Sequence, residues 1–130
     1  NLGCKKALVV CGSNPAIDEI SICGKTHVYR LNNGNIDNFE LHPEDLGLKA
    51  AKIEDIQGGT PDINAQIIKD IFDGKLADSK LNAVILNTAG LLWVGNKAES
   101  LEEGVKISIS LIESGLGSKK LQEISKQKHY

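Results

Sequence analysis

Two adjacent carboxylates, Asp18 and Glu19, are the residues whose types and placement most clearly suggest chemistry. They follow an apolar run at residues 7–11 and a turn at 12–15, so they should lie beyond the carboxyl end of a strand, where α/β sheets gather ligands. Mg²⁺ prefers such hard oxygen ligands, usually taking one or two protein carboxylates and leaving its other positions to water and phosphate. The pair is a candidate magnesium site, but on the residue pattern alone we favour a solvated surface turn, because adjacent acids are common there. If the pair begins a strand, its two side chains point to opposite faces.

A glycine-rich segment, Gly58-Gly59-Thr60, invites comparison with phosphate-binding loops, because a helix should follow it and helix N-termini attract anions. It lacks the G-x-x-x-x-G-K spacing and follows no obvious buried strand. Thr60 at the N-cap and Pro61 at the first helical position explain the same residues as an ordinary helix start, which we favour.

The histidines form no recognisable metal motif. His27 and His42 are not at i, i+4 spacing and have no suitably spaced cysteine or carboxylate partner. His27 is predicted to be a structural or surface residue of a strand, and His129 falls in a fraying tail. The spacing yields no Ser-His-Asp or Cys-His constellation, so no side-chain nucleophile is predicted.

The cysteines, Cys4, Cys11 and Cys23, are odd in number and lack C-x-x-C spacing. Neither a disulfide framework nor a zinc site is therefore expected, and a reducing cytoplasm is the default location. We interpret all three as small apolar core residues.

The first forty residues are predicted to be mostly strand. A run at 7–11 is apolar enough to be buried on both faces and central in a sheet, and residues 17–23 alternate partly. Two further runs, 26–31 and 36–41, flank an Asn/Gly-rich turn and indicate a hairpin. If the run at 7–11 were left as an exposed edge, we would expect self-association through it.

The pattern becomes helical after Pro43, with single turns near 44–48 and 53–57. The longer helices are predicted at 61–74, 79–94, 100–115 and 119–126. The second is apolar nearly all round and should be central, and the third begins at a Ser-x-x-Glu capping box. Asn87 lies within the apolar helix and needs partners, which suggests a role in packing or between domains. The expected fold is α/β, a small mixed β-sheet from the N-terminal forty residues packed against C-terminal helices.

The length of 130 residues fits a single domain. The composition argues against several classes of binding partner. Fifteen basic residues against seventeen acidic ones, with Arg30 as the single arginine, disfavour a nucleic-acid partner. The longest apolar stretch, 83–94, is too short to cross a bilayer, so no membrane partner is expected. The sequence shows no leader that would predict export. The lack of any methionine suggests either a piece cut from a longer protein or a chain that begins after processing.

Three stretches together resemble the anthranilate phosphoribosyltransferase family of tryptophan biosynthesis. The first is Ala-Leu-Val-Val-Cys-Gly at 7–12 followed by Ile-Asp-Glu-Ile-Ser at 17–21 and Gly-Lys-Thr at 24–26. The second runs from Leu-His-Pro-Glu-Asp-Leu-Gly-Leu at 41–48 through Gly-Gly-Thr-Pro at 58–61 to Asn-Ala at 64–65. The third joins Leu-Asn-Thr-Ala at 86–89 to Ala-Glu-Ser-Leu-Glu-Glu-Gly at 98–104 and ends in Ser-Gly at 114–115.

This resemblance implies an enzyme that transfers phosphoribose from phosphoribosyl pyrophosphate (PRPP) to the amino group of anthranilate and releases pyrophosphate. The family's Asp-Glu motif matches Asp18 and Glu19, which implies that they help to hold Mg²⁺ at the PRPP site. The resemblance covers about the C-terminal third of the family's usual length. Residues 1–130 are thus expected to be the C-terminal portion of the phosphoribosyltransferase α/β domain, without the N-terminal helical domain and its dimer contact.

The sequence departs from the family pattern at several places. The Gly-Thr-Gly-Gly-Asp pyrophosphate loop and the lysine-containing anthranilate region, which lie upstream in the family, are missing. Cys11 stands where the family usually has histidine, and the turn at 13–16 is about one residue longer. The chain by itself is therefore expected to be inactive and to need the N-terminal part of the same protein. The alternatives are a nucleic-acid-binding relative or a pyrimidine nucleoside phosphorylase with the same fold.

Overall fold

The computed structural model describes residues 3–126, in which a four-stranded sheet precedes four helices. The strands are β1 (Lys6–Ser13), β2 (Ala16–Ile17), β3 (Thr26–Asn32) and β4 (Asn35–Leu41), in the spatial order β2-β1-β3-β4. The predicted α/β class is confirmed. Pairing within the described strands is antiparallel rather than mixed, because no crossover helix joins consecutive strands.

The predicted hairpin is formed by β3 and β4, with Asn32 paired to Asn35. Asn33 and Gly34 between them both have positive φ angles, of 50° and 88°, as a tight two-residue hairpin turn requires. Across the hairpin, Arg30 Nε donates to Asp37 Oδ1 at 3.0 Å.

Strand β1 is buried on one face only, which corrects the prediction for residues 7–11. The side chain of Val9 is 68% exposed, whereas Leu8 and Val10 pack against the core. Its pairing with β2 involves only Gly12 and Ser13, so residues 6–11 have a described strand neighbour on the β3 side alone. When a strand is apolar on both faces, its sequence predicts that both faces are buried. It does not identify the segment that covers each face.

The helices are α1 (Pro61–Phe72), α2 (Ser79–Val94), α3 (Leu101–Glu113) and α4 (Leu116–Ser125), preceded by short 3₁₀ turns at Pro43–Leu46 and Ile53–Ile56. Helix α2 has the predicted bounds, and α4 begins three residues before the predicted start. The side chain of Asp78 caps α2, and Ser100 Oγ caps α3 by accepting from Glu103 N at 3.2 Å. His129 lies outside the described residues. None of the helices within 3–126 is long and apolar enough to span a membrane.

The core lies between the sheet and helices α2 and α3. Its members include Ile22, Val28, Leu86 and Ala89, each at most 1% exposed. A Cβ atom added to Gly104 would lie 2.8 Å from Ala89 Cα, so α2 and α3 can cross this closely only because residue 104 is glycine.

The prediction that all three cysteines are core residues is wrong for Cys4 and Cys11, whereas Cys23 packs against the core. Cys4 and Cys11 are exposed and Cys23 is half-buried. Cys4 precedes β1, and Cys11 faces outward on that strand together with Val9, because alternate residues of a strand share a face.

Candidate functional site

The acidic segment, defined here as Asp18 and Glu19, directly follows β2. Both residues are exposed and lie in a bend, so the strand alternation that would send their side chains to opposite faces does not apply. Neither carboxylate forms an ion pair or a side-chain hydrogen bond with any other residue in the described range, which leaves all four oxygens free for a ligand.

Ile20, the next residue, is fixed to helix α2 by Asn87. Ile20 N donates to Asn87 Oδ1 at 3.0 Å, and Asn87 Nδ2 donates back to Ile20 O at 2.9 Å. The second Nδ2 hydrogen goes to Ala83 O at 3.0 Å within the helix. These bonds give the Asn87 amide the partners that its place in an apolar helix requires.

The chain beyond Ile20 is held by β3. Ser21 N donates to Thr26 Oγ1 at 2.8 Å, and Ser21 Oγ accepts from Cys23 N at 3.1 Å. Thr26 is fully buried, and a Cβ atom on Gly12 would come within 2.8 Å of Ser21 Cβ. The acidic segment therefore projects from a base that is anchored on two sides.

Glu19 stands between two open grooves. The β1 groove, about 470 Å³, runs between β1 and α2 and is lined mainly by apolar residues that include Leu8, Val10 and Leu91. The α1 groove, about 290 Å³, lies between α1 and α2 and carries Lys80 and Asn64 among isoleucines. Asp18 lines neither groove.

The acidic segment fits a magnesium ion in donor chemistry and in number. Within residues 3–126, no group of three or more histidine, cysteine or acidic side chains could enclose a metal. Two exposed carboxylates suit an ion that retains water and takes further oxygens from a phosphate ligand.

The backbone of the glycine-rich segment at 58–60 is hydrogen-bonded to a side chain of α1, the helix that follows it. Asn64 Oδ1 accepts from Gly59 N at 2.7 Å, and Asn64 Nδ2 donates to Gly59 O at 3.1 Å. Thr60 occupies the N-cap position of α1, as predicted, but its side chain makes no capping hydrogen bond. The hydrogen bonds between Asn64 and Gly59 were not predicted from the sequence. Their only sequence signal was an asparagine near the start of a helix.

The strand register brings together Cys11 and His27, which spacing alone left apart. They are cross-strand partners in β1 and β3, and His27 Nδ1 lies 3.7 Å from Glu40 Oε1. Both are exposed, so His27 is the surface residue that was predicted. His42 is also exposed and precedes the first 3₁₀ turn, where its backbone N donates to Asp45 Oδ2 at 2.8 Å.

The surroundings of Cys23, Asp37 and Glu40 shift the pKa values of these three side chains. Burial raises the pKa of the Cys23 thiol, and the nearby carboxylates of Asp55 and Glu54 raise it further, which keeps this sulfur protonated and poorly nucleophilic. On the hairpin, hydrogen bonds from Lys25 and Arg30 lower the pKa values of Glu40 and Asp37, respectively.

Comparison with known proteins places these features in a family context. Residues 1–118 match the family model described as "Glycosyl transferase family, a/b domain". Anthranilate phosphoribosyltransferase of Petrotoga mobilis is 48% identical over 124 residues, covering 95% of this chain and 36% of that protein. The Methanobrevibacter smithii protein of the same name is 42% identical, with 95% and 36% covered.

Solved structures agree with the sequence comparison. The crystal structure of anthranilate phosphoribosyltransferase from Thermus thermophilus superposes with a TM-score of 0.82 at 30% identity, covering 91% of this chain and 34% of that one. The Saccharomyces cerevisiae enzyme in complex with PRPP and Mg gives 0.79 at 25% identity, with 90% and 33% covered. The chain thus spans about a third of the length of the relatives it matches.

Proposed function

Since this chain belongs to the glycosyl transferase family, as its a/b domain, we propose that it is part of an anthranilate phosphoribosyltransferase. The observation that carries the proposal is the 48% identity to the Petrotoga mobilis enzyme across 95% of the chain. In this assignment, residues 1–130 are the C-terminal portion of the α/β domain, and the protein acts in the cytoplasm.

The proposed reaction moves phosphoribose from PRPP to anthranilate. Asp18 and Glu19 would hold Mg²⁺, as their exposure and unengaged oxygens permit. When bound, the ion offsets the negative charge that develops on the departing pyrophosphate. This chain contributes two carboxylates on an anchored segment. Holding PRPP and anthranilate in a fixed orientation would raise the rate of phosphoribosyl transfer.

The partner of this chain is proposed to be the remaining two thirds of the protein, docked along the β1 groove. Among the described residues, 6–11 of β1 have no strand partner on one edge, and Leu91 beside this edge is 73% exposed. An added strand would pair with the β1 edge, and its apolar side chains would cover Leu91. A second copy of the chain could occupy the same edge when the rest of the protein is missing, whereas the chain by itself is proposed to be inactive.

A chimera tests the proposed activity. In the Petrotoga mobilis enzyme, the matching 124-residue segment would be replaced by this chain, and product formation from PRPP and anthranilate would be followed. We expect Mg²⁺-dependent turnover by the chimera and none by the isolated chain. A chimera that unfolds as cooperatively as its parent but forms no product would sink the proposal, and turnover by the isolated chain would refute its dependence on a partner.

A further inference from the structure

We propose that Asn87 is a positioning residue that aims the acidic segment at its metal ion from helix α2. This inference rests on the proposed function, because it assumes that Asp18 and Glu19 hold Mg²⁺. It assigns to one helical amide the task of fixing the backbone from which Glu19 projects.

The hydrogen bonds of Asn87 are directed at the peptide units next to Glu19. The N–H of Ile20 belongs to the peptide group that carries the Glu19 carbonyl, so the 3.0 Å bond to Asn87 Oδ1 fixes that plane. The 2.9 Å bond from Asn87 Nδ2 to Ile20 O fixes the following plane. Two consecutive peptide planes are therefore set by one side chain 67 residues away in sequence.

The packing of Ile20 supports the same position. Ile20 is 5% exposed, and a Cβ atom on Gly90 would lie 2.9 Å from Ile20 Cδ1. Gly90 is three residues beyond Asn87 and therefore lies on the same face of α2. On this face, the Asn87 amide binds the backbone of Ile20, and the space left by Gly90 accommodates the Ile20 side chain. Rotation of Ile20 would break both hydrogen bonds and remove its side chain from this space.

Ile20 is buried and hydrogen-bonded, whereas the acidic segment is exposed, and this contrast indicates the role of Asn87. Asp18 and Glu19 are exposed, and neither side chain has a hydrogen-bonding partner among residues 3–126. Their orientation therefore depends on the backbone on either side, which is β2 before them and Ile20 after them. Without Asn87, the carboxylates would sample more directions, and a metal would have to order them on binding. Groups that orient metal ligands typically contribute roughly tenfold or more to metal affinity.

The test measures metal binding without turnover. The ¹⁵N-labelled 130-residue chain would be titrated with Mn²⁺, and paramagnetic broadening of its amide signals would be followed. In the unaltered chain we expect broadening of residues 17–21 at lower Mn²⁺ than at Glu54 and Asp55, another pair of adjacent exposed acids, and reversal by excess Mg²⁺. In Asn87→Ala, the Mn²⁺ concentration needed should rise roughly tenfold.

The matched control is Asn82→Ala, the same substitution in the same helix, at a side chain that forms no hydrogen bond with any described residue. Its Mn²⁺ titration should overlay that of the unaltered chain. If Asn87→Ala fails to fold, Asn87→Leu decides, because leucine fills a similar volume without adding a charge and removes the hydrogen bonds to Ile20, and we expect it to bind Mn²⁺ more weakly at residues 17–21.

The outcomes separate this inference from the proposed function. No preferential broadening at residues 17–21 in the unaltered chain would contradict the metal role of the acidic segment itself. Preferential broadening that Asn87→Ala leaves unchanged in a folded protein would overturn the positioning role alone. Unfolded spectra for both Asn87 variants would also overturn it, because Asn87 would then serve the fold as a whole.

Discussion

Asn87 and Ile20 form a reciprocal pair in which one side-chain amide satisfies both backbone polar groups of a residue 67 positions earlier. The pair links the apolar helix α2 to the base of the exposed acidic segment. Because a half-buried amide whose hydrogen bonds are all made holds its partners in one geometry, the acidic segment takes its direction from helix α2.

The crossing of α2 and α3 should tolerate no side chain at residue 104. The added methyl of Gly104→Ala would meet the backbone of Ala89, which cannot move independently of α2. We expect a loss of about 1–3 kcal/mol in the free energy of unfolding. Gly117→Ala is the matched control, because its methyl would meet the ring of Phe72, which borders an open groove into which it can turn, and should cost less. Urea unfolding measures both, and equal losses would contradict this packing.

The Arg30–Asp37 pair should make hairpin stability depend on pH in the acid range. Arg30 lowers the pKa of Asp37 in the folded chain by donating hydrogen bonds to it. The carboxylate therefore stabilises the fold above the unfolded-state pKa near 4, and this contribution is lost as the pH falls through the lower folded-state pKa. Thermal melts from pH 2 to 7 should show a smaller acid-side decline for Asp37→Asn than for the unaltered chain. Parallel declines would disprove the linkage.

The three thiols should differ in alkylation rate. Cys4 and Cys11 are exposed, whereas Cys23 is half-buried and its pKa is raised by burial and by the carboxylates of Asp55 and Glu54. Since the thiolate is the reacting form, iodoacetamide at pH 8 should modify Cys4 and Cys11 several times faster than Cys23. Peptide mass spectrometry at timed intervals measures the order. Modification of Cys23 first would show that its environment is not the one described.

The β1 groove should be the contact surface for the rest of the protein. We expect this chain to bind the portion of the Petrotoga mobilis relative that lies outside the matching segment, and Leu91→Asp to weaken this binding roughly tenfold by placing a charge against an apolar surface. Leu116→Asp is the matched control, a leucine of α4 that is 54% exposed and does not line the groove. Titration calorimetry compares the two variants. Equal affinities would place the contact elsewhere.

Local sequence signals predicted much of the fold. The Asn-Gly turn, the apolar helix at 79–94 and the Ser100 cap of α3 depend on neighbouring residues, and the structure contains each of them. The capping box is only half formed, because the Glu103 carboxylate accepts from Glu99 N at 2.6 Å. The burial of β1 could not be predicted in the same way, because an apolar strand does not specify what covers each face.

The candidate site was predictable in part. The adjacent carboxylates could be identified from residue type and position, whereas their anchor could not, because the contact between Asn87 and Ile20 spans 67 residues. The sequence signal was only a polar residue within an apolar helix, which demands a partner but does not identify it.

The most direct measurement of the central claim compares two doubly neutralised chimeras of the Petrotoga mobilis enzyme. The first carries Asp18→Asn and Glu19→Gln. The second is the control and carries Glu44→Gln and Asp62→Asn, which remove the same amount of negative charge at two exposed acids elsewhere in the chain. Turnover is followed as Mg²⁺ is varied at saturating PRPP. We predict that the first loses roughly a hundredfold in turnover and requires more Mg²⁺, and that the second stays within about twofold of the parent chimera. Indistinguishable Mg²⁺ titrations and turnover for the two would contradict the claim that Asp18 and Glu19 hold the metal.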